Sequence, residues 1–104
     1  MTFSNPGADL FIPDNSPEDV ALSRTTHLAV GAHQDDIECM AAHGIIACRG
    51  QKDLWFSGII LTSGSGSPRT GPYAGLADGA MAKIRLEEQR QAAQIGQYSA
   101  IVQL

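Results

Sequence analysis

Three side chains in the stretch GAHQDDIECMAAHG, residues 31–44, are of the types that do chemistry together: His33, Asp35 and Asp36. Imidazole nitrogen and carboxylate oxygen are ligands of catalytic zinc, which takes three protein ligands and keeps a fourth position for water. Zinc brings the pKa of that water to about 7, and a neighbouring carboxylate can accept its proton as general base. One short turn thus offers two ligands and a base. Helix capping is the competing explanation. An aspartate where a strand gives way to a helix is a good N-cap, and an acid such as Glu38 near the helix start suits the dipole. Capping accounts for one aspartate and for Glu38, but it requires neither the second aspartate nor His33. At this level both readings stand.

These residues need elements to hold them. HLAVGAH, 27–33, is a short apolar run that reads as a strand buried on both faces. From Asp36 the period changes: Ile37, Met40, Ala41, Gly44, Ile45 and Cys48 form one helical stripe, which Gly50 can close in the left-handed conformation. LWFSGIILT, 54–62, is a second buried strand. SGSGSPRTGPYAGLAD follows without periodicity, and loops of this length are usually functional or mobile. Asp78 can cap a second helix over about 79–96, and SAIVQL opens a third strand. Ahead of these, residues 1–26 read as an irregular lead-in with one short helix near 17–23, started by Ser16, Pro17, Glu18 and Asp19.

Alternating strands and helices predict an α/β fold, a Rossmann-like parallel sheet with flanking helices and right-handed crossovers. In such sheets ligands sit beyond the carboxyl ends of the strands, where residues 33–38 fall. A last strand of SAIVQL would leave an unpaired apolar edge, which complete domains avoid. Residues 27–104 are therefore expected to be the N-terminal half of a longer domain, its open edge covered by a further segment or a second copy.

Composition narrows the class. With 104 residues, 43% of them hydrophobic and 17% charged, and a net charge of −4, the chain makes one small globular domain. It has no lysine or arginine cluster to serve as a nucleic-acid footprint, and its apolar runs are too short to span a bilayer. The start, MTFSNPGADLF, lacks the regions of a signal peptide, so a cytoplasmic location is expected. Cys39 and Cys48 read as small buried hydrophobes, not a disulfide.

In the second helix, Met81, Ile84, Ala92 and Ile95 define the apolar stripe, with Glu88 in its middle and Arg85 on its border. A charge on a buried face needs a partner, and Arg85 three residues away supplies one. The loop segment GSGSPRTG lacks the P-loop lysine and the third glycine and prompt helix of a dinucleotide fingerprint.

AHQDDIE, residues 32–38, resembles the AHPDD-E signature of the LmbE-like (PIG-L) family of zinc-dependent de-N-acetylases. The similarity runs from about His27 to Leu104. It includes LTSG after the second strand and R-x-x-E-x-x-x-A-A-x-x-G from Arg85 to Gly96. The resemblance implies that His33 and Asp36 hold Zn2+ and that Asp35 is the base for the attacking water. It implies release of acetate from an N-acetylglucosamine-type sugar or glycoconjugate. It also places Arg85 against the substrate, with Glu88 orienting it, and makes the loop a mobile wall of the sugar pocket, with Arg69 and Tyr73 as weak contacts. Glu38 braces the turn. Gln34 stands where the family has proline, which would loosen the turn, and Ser63 where an aspartate often follows the threonine.

The family's third zinc ligand is a histidine much further downstream, and it has no counterpart in this chain. His43 lies roughly 10 Å along the helix from Asp36, and His27 lies at the far end of its strand, so neither is expected to converge on the ion. Two ligands are fewer than the usual three, so the 104 residues alone are expected to bind zinc weakly and turn over little. An inactive truncated remnant of the same fold is therefore the alternative. A receiver-like signalling module also pairs acids after its first strand to hold magnesium. It would need an acceptor aspartate at the end of a later strand, where this chain has Ser63, Gln103 and Leu104.

Overall fold

The computed structural model describes residues 1–104. In chain order its elements are β1 (Asp9–Phe11), α1 (Glu18–Ser23), β2 (His27–Gly31), α2 (Asp36–Met40), α3 (Ala42–Cys48), β3 (Phe56–Ile60), a 3-10 turn (Gly71–Tyr73), α4 (Asp78–Gly96) and β4 (Ala100–Gln103). The four strands form one sheet in the order β1-β4-β3-β2. Strand β3 runs parallel to β2 and to β4, whereas β1 pairs antiparallel with β4, Leu10 opposite Val102. The fold is α/β, a sheet with flanking helices, as the alternating pattern predicts. No helix is long and apolar enough to cross a membrane.

Successive strand residues point to opposite faces, and the two faces of this sheet differ. One carries Phe56, Ile60 and Ile101, which pack with Ile37, Ile45 and Cys48 of α2 and α3, Ala93 of α4, and Tyr98 into one core. Ile37, Ile60 and Ile101 are fully enclosed there, each contributing about 2 kcal/mol. Gly58 makes this closeness possible, because a Cβ at that position would stand 2.7 Å from both Ile37 Cδ1 and Ile101 Cδ1. The start of α2, and with it the turn at 33–36, is thereby drawn down onto β3.

The opposite face carries Leu28, Val30, Ile59 and Val102 beside α1, whose Ala21 is buried. Leu28 and Val30 remain 60% and 51% exposed. Strand β2 is thus buried on one face only, not on both, because α2, α3 and α4 all pack on the other side.

Further corrections follow from the tertiary arrangement. The lead-in is not irregular throughout: β1 adds an antiparallel strand, held by Asp9 pairing with Arg90 of α4. Strand β4 consequently lies between β1 and β3 and is not an edge. The open edges are β1 and β2. The single helix expected over 36–48 is two, separated at Ala41 (φ −119°, ψ 22°). The break takes Met40 off the stripe and leaves it 68% exposed, while Ile37, Ile45 and Cys48 stay buried. Cys39 is exposed and Cys48 buried, both free thiols. The buried face of α4 is turned from the expected stripe: Met81, Gln89 and Ala93 are buried and Ile95 is 72% exposed. Asp78 is the first residue of α4, not its cap, and pairs with Arg69 at 2.6 Å.

Candidate functional site

The turn between β2 and α2 lies at the carboxyl end of the parallel strands. Leu61 and Thr62 donate their backbone N–H groups to the carbonyls of Gly31 and Ala32, and Thr62 Oγ1 also donates to Ala32 at 2.8 Å. The ends of β2 and β3 are thereby clamped side by side. Beyond them opens a cleft of about 550 Å³, walled by His33, Asp36, Thr62, Gly64, Ser67 and Arg85 among others, with no hydrophobic side chain in its lining.

His33 and Asp36 face each other across the first turn of α2. Their Nδ1 and Oδ2 atoms are 3.5 Å apart, and the same Oδ2 accepts the His33 backbone N–H at 2.9 Å. The imidazole is 66% exposed. No side chain caps the start of α2; Asp36 instead braces the turn through the His33 N–H while its carboxylate stays beside the ring. The helix-capping reading of the paired aspartates is not what the turn shows.

Asp35 holds a left-handed backbone (φ 72°, ψ −14°), a conformation that is uncommon outside glycine and costs on the order of 1–3 kcal/mol. Its N–H donates to Oε1 of Gln89 at 3.0 Å, and its Oδ2 accepts from Arg85 Nη1 at 3.3 Å. Arg85 also donates from Nη1 to Glu88 Oε2 at 2.8 Å and from Nη2 to the Gln34 carbonyl at 3.0 Å. The i, i+3 pairing expected of Arg85 and Glu88 is present, and Arg85 reaches the turn as well.

Gln34 does not loosen the turn. It is buried, and its Nε2 donates to the Thr62 carbonyl at 3.0 Å and to Gln103 Oε1 at 3.3 Å, tying the ends of β3 and β4 to the turn. Gln34 Oε1 and Arg85 Nε are buried without partners. Gly64, in a left-handed conformation (φ +78°), passes between them: a Cβ there would come within 2.5 Å of Gln34 Oε1 and 2.8 Å of Arg85 Cβ.

Glu38 is engaged on both oxygens, accepting from Gln89 Nε2 at 2.8 Å and from Tyr98 Oη at 2.8 Å. It braces the turn from within the core. Burial, the hydrogen bond to Glu38 and the charge of Glu38 all push the Tyr98 phenol above its ordinary range, which keeps it a donor.

Arg69 and Tyr73 are absent from the cleft lining. Arg69 binds the carbonyls of Ser67 and Leu76 together with Asp78, and Tyr73 Oη donates to Glu88 Oε1 at 3.3 Å. Their contacts pin the loop to itself and to α4. His33, Asp36 and Arg85 come together at the cleft, with Asp35 joined to it through Arg85. Gln89 escaped the sequence reading, and Gly64 entered it only as the last residue of LTSG. The available signal for Gln89 was a glutamine four residues after Arg85.

No group of three or more His, Cys, Asp or Glu side chains is arranged to hold a metal ion. No family model matches the chain, and neither does any curated protein or solved structure.

Proposed function

We propose that this chain carries the metal-holding end of a zinc-dependent N-deacetylase acting on an N-acetylglucosamine-type sugar or glycoconjugate. The observation that carries the reading is the His33–Asp36 pair, with Nδ1 and Oδ2 3.5 Å apart on the wall of a cleft rich in serine, threonine and glycine. Two ligands bonded at about 2.0–2.1 Å to one tetrahedral zinc stand about 3.4 Å apart, so the pair fits two of the three protein ligands such an ion takes. Zinc held there would supply a water of lowered pKa and a Lewis acid for the acetamide carbonyl.

The chain's own residues do the rest. Asp35, which precedes Asp36 in the turn, would take the proton of the attacking water. Arg85, hydrogen-bonded to the Asp35 carboxylate, holds that base in place and presents its guanidinium to the sugar. The lining of serine, threonine and backbone amides from residues 62–67 suits the hydroxyl groups of a sugar better than an apolar ligand. Proton transfer by a placed carboxylate is worth about 100- to 10,000-fold in rate.

Calorimetric titration with zinc chloride near pH 7.5 tests the reading. Wild type should take up one ion per chain, and His33→Ala or Asp36→Ala should weaken uptake about 100-fold at unchanged thermal stability. Asp35→Asn should keep the uptake. Equal uptake by wild type and both alanine variants removes the site.

A further inference from the structure

A buried polar chain runs from the hydrophobic core to the strained aspartate. Tyr98, 1% exposed, packs its ring edge-on against Phe56 at 4.8 Å and donates its hydroxyl to Glu38 Oε2. Glu38 Oε1 accepts from Gln89 Nε2, and Gln89 Oε1 accepts the Asp35 N–H. Gln89 is wholly buried in the middle of a 19-residue helix, where a side-chain amide is costly unless all its groups are paired.

The direction of the Gln89 amide is settled by its partners. Turned over, its NH2 would meet the Asp35 N–H and its oxygen a carboxylate oxygen of Glu38, giving two repulsive contacts in place of two hydrogen bonds. Tyr98 supplies only a proton to Glu38, Glu38 only accepts, and so Gln89 must present its oxygen to residue 35. Asp35 immediately precedes α2, so its N–H has no helical carbonyl to bond, and Gln89 Oε1 accepts it. The side chain thereby fixes the one residue of the turn whose backbone is strained.

We infer that Gln89 is a positioning residue: through Glu38 and Tyr98 it anchors the left-handed backbone of Asp35 to the core and thereby sets the alignment of Asp35 and of the His33–Asp36 pair beside it. This rests on the zinc-hydrolase reading for what the alignment serves. The anchoring itself is independent of any metal. Strain at a single residue persists only where surrounding contacts over-determine it, and here one amide supplies that contact from another element 54 residues away.

The test uses the full chain with three variants: Gln89→Leu, Gln89→Glu and the exchange Glu38→Gln/Gln89→Glu. In the exchange the glutamate at 89 accepts from Asp35 N–H and from the new amide at 38, whose oxygen still accepts from Tyr98, so every bond is remade with the same net charge. Amide hydrogen exchange should be at least about 10-fold faster at Asp35 in Gln89→Leu, which removes the acceptor, and in Gln89→Glu, whose carboxylate is repelled by that of Glu38, with Ala93 in α4 still protected, and should return to the wild-type rate in the exchange variant. Zinc affinity should follow, falling about 10- to 100-fold in the single variants and recovering in the exchange, as for the partners of metal ligands generally. A merely structural role would move melting temperature and leave the Asp35 amide as protected as its neighbours. Unchanged Asp35 exchange in Gln89→Leu, or no recovery in the exchange variant, overturns the inference. If Gln89→Leu does not fold, the contrast between Gln89→Glu and the exchange variant decides alone. A wild type that takes up no zinc defeats the proposed function, while the Asp35 amide still decides the role of Gln89.

Discussion

Helix α4 carries two arginines that each have a glutamate three residues away but sit in different settings. Arg85 pairs with Glu88 and Arg90 with Glu87, each three residues apart, and each also reaches an aspartate on a distant element, Asp35 or Asp9. Around Arg90 every nitrogen is used: Nε and Nη2 go to the two oxygens of Asp9, and Nη1 goes to Glu87. The guanidinium also lies over the Phe11 ring at 5.4 Å. The hydrogen bond to Asp9 is the leading cause that lifts the Arg90 pKa; partial burial opposes it, and the charges of Asp9 and Glu87 add to it. Around Arg85, Nε is buried without a partner, and the Asp35 carboxylate it touches is 55% exposed at 3.3 Å. One cluster is closed and staples β1 to α4. The other is left with a buried N–H unpaired and an aspartate half open to the solvent beside the cleft. Saturation, not the identity of the residues, separates a structural ion pair from a candidate site.

Removing the staple should cost most. Arg90→Met leaves Asp9, whose side chain is 17% exposed, without its cation. Urea denaturation should show a loss of about 2 kcal/mol, or roughly 10 °C in Tm for a domain of this size. Zinc uptake should not change, since Arg90 is remote from the turn. The comparison breaks if Arg90→Met is silent.

Arg85→Met should cost about 1 kcal/mol or less by the same measurement, because Asp35 is half in water and the variant also removes a buried unpaired N–H. Its effect should appear at the cleft instead, as weaker binding of an N-acetylated amino sugar to zinc-loaded protein. A stability loss equal to that of Arg90→Met would make the two clusters equivalent and the distinction void.

A third arginine sharpens the series. Arg24 stacks over Trp55 at 3.6 Å, donates to Ser99 and Ser16, and pairs with Asp14 at 2.9 Å. For Asp14 partial burial opposes ionisation, but the hydrogen bonds from Ser16 and the bond and charge of Arg24 outweigh it, so the carboxyl lies below its ordinary value. A depressed carboxyl adds stability above the unfolded-state pKa of about 3.9 and loses it as pH falls through the lower folded value. Asp14 is 42% exposed, so Asp14→Asn should lower stability by well under 1 kcal/mol at pH 7, and the difference should shrink as the pH is lowered below the unfolded-state value, as read by thermal melts across that range.

Legibility in the sequence followed the strength of the periodic signal. HLAVG, FSGII and AIVQ are continuous apolar runs and became β2, β3 and β4, and the caps around Pro17 marked α1 to within a residue. Strand β1 was missed because DLF is too short to show a period and is made a strand by pairing with β4. The phase of α4 differs from the apolar stripe because the positions wholly buried there are Gln89 and Ala93, and the polar ends of Gln89 are satisfied by Asp35 and Glu38. The site divides in the same way. His33, Asp35, Asp36 and Arg85 stand out by type and spacing. Arg69 and Tyr73 stood out equally, and their partners turned out to lie in the loop and α4.

By itself the sequence determined the α/β alternation and the place of the His33–Asp36 turn, because both depend on neighbours a few residues apart along the chain. The tertiary structure alone decided which sheet edge is open, which arginine is saturated, and that residue 35 is held in a left-handed conformation by residue 89. Those are contacts across 50 residues or more of chain, where side chains meet only after the core has closed.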